Sequence, residues 1–210
     1  MSRRITAPRL SLGLALGLGL VFGAAPGRAA EGTDPDWPCI QRRVPHLSLG
    51  QVWPGPVPGA DAEARAKTAD IEALGRRLAL RRTSMEEATR LIDDFAGSSD
   101  PAGLAGLYLA TFAHINEARD RILEGIGRYA RKQAALDAEI NEKRNELNRL
   151  SAAEPPDFDA IDRAEADVDW STRIFLDRQQ SLTYVCETPV ILEQRAFALG
   201  RAVAAHIPTP

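Results

Sequence analysis

The sequence predicts an all-α fold: a long antiparallel coiled-coil helical hairpin, two shorter helices forming a four-helix bundle at its base, and a Pro-rich extended arm in front. Three observations predict it. No stretch alternates apolar and polar residues at the period of a β-strand. Two segments of about 50 residues each carry an apolar seam that steps alternately four and three residues, the signature of a coiled coil. Between them stands Pro155-Pro156, which breaks the helix and lets the second segment return along the first.

Residues 1–30 read as a secretory signal peptide. Arg3, Arg4 and Arg9 supply a basic start, Leu10 to Ala25 an apolar stretch, and Gly27-Arg28-Ala29 small residues before a cut after Ala29 or Ala30. The apolar stretch is short of the roughly 20 residues that span a bilayer, so no stable membrane insertion is expected after cleavage. Residues 31–60 form the arm. Pro35, Pro38, Pro45, Pro54, Pro56 and Pro58 exclude a continuous helix, while Trp37 and Trp53 carry too much apolar surface for a free linker.

Residues 61–210 form the helical domain. Its first helix runs from about Asp61 to Arg81, with Ile71, Leu74 and Leu78 on one face. Thr83-Ser84-Met85-Glu86 reads as a capping box that starts the second helix, and Gly97 ends it. Asp100 caps the third helix with Pro101 in its first turn. Its seam passes from Tyr108 through Ile115, Arg119, Ile126, Gln133 and Ile140 to Leu150. The fourth helix repeats the stepping from Ile161 through Phe175, Arg178, Leu182, Pro189 and Leu192 to His206. Each long arm is on the order of 75 Å. Pairing around the break makes opposing residue numbers sum to about 308, as for Ile140 with Val168 and Ile126 with Leu182. The shorter helices flank the base, and the remainder projects as a two-helix stalk.

Charge sharpens the class. The whole chain has a formal charge of -3, but residues 1–30 hold four arginines and no acid, so their removal leaves 22 basic against 29 acidic side chains, a net -7. Such a chain is a poor match to nucleic acid, whose binding rests on cationic surface. Export gives meaning to Cys39 and Cys186, since two thiols in an oxidising compartment pair. A disulfide is expected between them, closing a loop of about 147 residues.

Several side chains are candidates for more than packing. Pro189 deprives the Val185 carbonyl of its helical partner, so a kink or break is expected there, with Arg119 at the same level to meet the freed oxygen. Tyr129 beside Arg178 suggests a second polar layer. Polar positions that fix the register explain both more simply than a binding site does. Asp157, Asp159 and Asp162 lead an acidic cluster past the hairpin tip, weak candidates for a metal because no calcium loop surrounds them. Carboxylates also favour a helix start on electrostatic grounds. Arg76, Arg77, Arg81 and Arg82 make a possible polyanion patch, or simply complement a helix C-terminus.

No histidine, serine or cysteine falls in a catalytic or haem-attachment pattern, so neither an enzyme nor a cofactor is expected. In broad architecture the hairpin resembles those of periplasmic helical-hairpin chaperones and efflux adaptors. The resemblance covers shape only: the strand-rich domains of the adaptors are missing, and the chaperones are basic. The expectation is an exported, periplasmic, non-enzymatic interaction, scaffold or chaperone-like module. Its partner would be another periplasmic or envelope protein, with self-association into a homo-oligomer also open. The alternative is a periplasmic metal or small-ligand sensor using the acidic tip or the basal bundle.

Overall fold

The computed structural model describes residue 34 and residues 36–208, which lie in one compact unit. The signal-peptide segment falls outside the described residues. Within them the regular structure is helical throughout: α1 (Leu49–Val52), α2 (Ala60–Arg65), α3 (Ala69–Ala79), α4 (Met85–Ala96), α5 (Pro101–Ser151) and α6 (Phe158–Ala204). The long pair, α5 and α6, pack against each other along the predicted register. The Gln133 amide donates to the Phe175 carbonyl at 3.2 Å, and those two numbers sum to 308.

The apolar seam explains this pairing. Ile115, Ile126 and Ile140 of α5 are fully or almost fully buried, as are Leu192, Ala196 and Leu199 of α6. The main core lies toward the open end of the hairpin, where Leu78 of α3 and Ile92 of α4 are inaccessible to solvent beside Leu107 and Leu199. α2 and α3 lie chiefly against α5, and α4 against α6. Farther toward the tip, residues 36–45 lie across the pair at Arg131 and Cys186, and beyond that level α5 and α6 pack on each other among the described residues.

Four local expectations are corrected. The single helix expected over 61–81 is two, α2 and α3, because Thr68 adopts an extended conformation as the N-cap of α3 and its hydroxyl turns back to the Arg65 carbonyl. The break brings α2 flat onto Gly106, where an added Cβ would stand 2.9 Å from the Ala62 carbonyl oxygen. A short helix, α1, interrupts the arm, started by Ser48 with Gln51 reaching back to its backbone N–H at 2.7 Å. The cap of α4 is Ser84, which accepts from the Glu87 N–H at 3.1 Å, so the cap sits one residue later than expected. Thr83 instead donates to the Arg77 carbonyl.

The fourth concerns Pro189: of the kink or break expected there, the break does not occur. α6 runs unbroken from Phe158 to Ala204 with Pro189 buried inside it. One missing N–H does not end a helix whose flanking turns are held by packing on both sides. Thr188 adds a hydrogen bond to the Tyr184 carbonyl at 3.3 Å in the turn before the proline.

Candidate functional site

The segment before α2 is held against the long helices by a set of long-range contacts. Cys39 and Cys186 meet at disulfide distance, with sulfurs 1.97 Å apart and Cα atoms 5.6 Å apart. Toward the core from there, Arg119 of α5 is 1% exposed. Its guanidinium donates to the carbonyls of Val44 and Pro45, and lies 2.8 Å from the Glu193 carboxylate of α6. One planar fork thus joins three segments distant in sequence. The expectation that Arg119 meets the Val185 carbonyl is therefore corrected: the carbonyls it satisfies belong to the arm, which lacks helical partners of its own.

Next along α5, the Asn116 amide donates to the Leu47 carbonyl at 3.3 Å. Tyr108 follows, fully buried and stacked on Trp53 with ring centroids 4.6 Å apart. Its hydroxyl lies within hydrogen-bond distance of two carbonyls, Val52 at 3.2 Å and Ala196 at 3.0 Å. Burial pushes this phenol well above its ordinary range, so it stays a neutral donor. Gly200 makes the approach of α1 feasible, since a Cβ there would sit 2.4 Å from the Val52 carbonyl oxygen.

Arg195 was not singled out by the sequence. It donates from Nε and one Nη to the Leu78 carbonyl, at 2.9 and 2.7 Å, and to the Thr83 carbonyl at 2.8 Å. Burial lowers its pKa. It ties the end of α3 and the following turn to α6. An arginine at helical spacing from Leu192 and Leu199, on the face those leucines bury, is the signal that could have revealed it.

The remaining predicted residues separate. Arg178 is exposed rather than in the seam, and the Tyr129 hydroxyl has no hydrogen-bond partner among the described residues, so the second polar layer does not form. Burial raises the Tyr129 pKa, and the nearby Arg178 charge opposes this. Asp157 caps α6 by accepting from the Ala160 N–H at 3.0 Å. Among the described residues no three His, Cys, Asp or Glu side chains come together as metal ligands, so Asp157, Asp159 and Asp162 are not gathered into such a group. Arg76, Arg77 and Arg82 line a surface cleft of about 500 Å³, without Arg81. Two of those charges are engaged: Arg76 lies 3.6 Å from Glu72, and Arg77 lies 2.5 Å from Glu87. His206 lies past the end of α6, its Nε2 2.9 Å from Asp93 of α4.

Along α6, several large apolar side chains face solvent. Trp170 is 64% exposed and Tyr184 72% exposed. They stand two heptads apart and share one flank of the helix, with Ile191 one heptad further on. This flank lies beside the seam that α5 covers. No helix among the described residues is long and apolar enough to cross a membrane. Comparison with protein-family models, curated proteins and solved structures finds no match to this chain.

Proposed function

We propose that the chain is an exported, non-enzymatic interaction module, of scaffold or chaperone-like type, whose distal hairpin engages another periplasmic or envelope protein. The observation that carries this reading is the exposed flank of Trp170 and Tyr184 on α6. Tryptophan and tyrosine are the side chains most often found at the energetic centre of protein interfaces. A large aromatic left in water forgoes the gain of burial, which a partner would recover. Export is supported by the sequence pattern of residues 1–30 and by the paired cysteines.

In this reading the molecule has a division of labour. α3, α4 and the adjoining parts of α5 and α6 make a basal four-helix bundle that supplies stability. The arm braces the junction through Cys39 and Arg119, and the two-helix stalk presents the recognition flank. The test is affinity capture from the periplasm with the exported chain and with a Trp170→Ala/Tyr184→Ala variant of unchanged circular dichroism. A partner retained at least tenfold better by the unmodified chain supports the reading. Equal retention by both would contradict it.

A further inference from the structure

Between the arm and the paired helices, next to the Cys39–Cys186 bridge, lies a cleft of about 490 Å³. That volume falls in the range of small-molecule sites, roughly 300–1,000 Å³. Phe175, Leu182 and the bridge itself give it apolar walls, and Ile40, 99% exposed, stands at its rim. Its lining includes Gln179 and Thr183, which can donate or accept, and its one charged side chain is Asp137. The Gln41 and Gln133 Oε1 atoms are buried without a hydrogen-bond partner. The orientation of Gln133 is fixed, because its amide nitrogen donates to the Phe175 carbonyl and a flipped amide would set oxygen against oxygen. Asp137 adds a carboxylate whose nearest hydrogen-bond neighbour is the Asn141 amide, at 3.5 Å. No lysine, arginine or histidine is among the residues that line the cleft.

We propose that this cleft binds a small amphiphilic organic cation, an apolar body carrying a primary ammonium group. The body would take up the space against Phe175 and Leu182 and cover the exposed face of Ile40. The ammonium would donate to the two orphaned glutamine oxygens, which have no other donor, and would lie near the Asp137 charge. The Phe175 ring offers a further favourable face to a cation. A carboxylate or phosphate ligand would meet the Asp137 charge with no lining cation to offset it, and is disfavoured on the same electrostatics. The site lies away from the flank of Trp170 and Tyr184, so it stands independently of the interaction proposed above.

The experiment is isothermal titration of the disulfide-bonded chain at neutral pH with phenethylamine, phenethyl alcohol and phenylpropionate. Phenethylamine is expected to saturate one site, at least tenfold more tightly than the alcohol, with no saturable binding of the carboxylate. Asp137→Asn and Ala134→Lys both change solvent-exposed positions on α5, so circular dichroism should be unchanged. The first should weaken the amine roughly tenfold and leave the alcohol as it was; the second, which places a cation on the rim, should abolish amine binding. Equal affinity for amine and alcohol, tighter binding of the carboxylate, amine affinity unchanged in either variant, or no saturation by about 10 mM phenethylamine overturns the proposal.

Discussion

Two buried arginines do the work that secondary structure cannot. Arg119 and Arg195 each project from a long helix and donate to carbonyls of segments that end or lack a helix, and Arg119 also pairs with the Glu193 carboxylate. Replacing Arg119 by leucine would strand the Val44 and Pro45 carbonyls and leave Glu193 without its cation. We expect a loss of about 2–4 kcal/mol, seen as a lower urea midpoint. An unchanged midpoint would mean that the arm is held without it. That Arg119 sits on the seam was legible from the stepping pattern. Its partners were not, because they lie more than 70 residues away in chain that has no periodicity to read.

At the scale of the element, the heptad stepping predicted α5 and α6 and their register, because a seam repeated many times leaves few alternative alignments. Short elements were less legible. α1 and the break between α2 and α3 depend on where Gly200 and Gly106 let another backbone approach, and nothing local to residues 49–68 announces those contacts. The glycines therefore make a paired test. Gly200→Ala would drive a methyl group against the Val52 carbonyl, and should lower stability by about 1–3 kcal/mol. Gly125→Ala meets no side chain closer than 3.9 Å within α5 and should raise stability by about 0.5–1 kcal/mol. Thermal unfolding of the two variants decides; effects of the same sign would refute the assignment of Gly200 to a close approach.

For the molecule as a whole, the 147-residue separation between Cys39 and Cys186 means that one covalent bond constrains most of the described chain. Cys39→Ser should reduce stability by about 4–5 kcal/mol in the chain-entropy treatment, measured by urea unfolding, and loosen the arm while leaving the helical signal in place. A change below about 1 kcal/mol would show that Arg119, Tyr108 and the core already hold the arm. The cysteine pairing was legible once an export segment had been read, whereas the cleft beside it was not, since it forms only where the arm crosses the hairpin. The exposed flank was hidden for a related reason: Trp170 and Tyr184 lie one step off the seam, and a pattern that finds what is buried says little about what is left out. The central claim, that this flank is where a partner docks, is tested most directly by site-specific photo-crosslinking in intact cells exporting the protein. A photoreactive residue at position 170 should yield a discrete adduct with another envelope protein, and one at position 81, on the basal arginine surface, should yield none. Adducts formed at position 81 alone, or none at either position, would contradict the account.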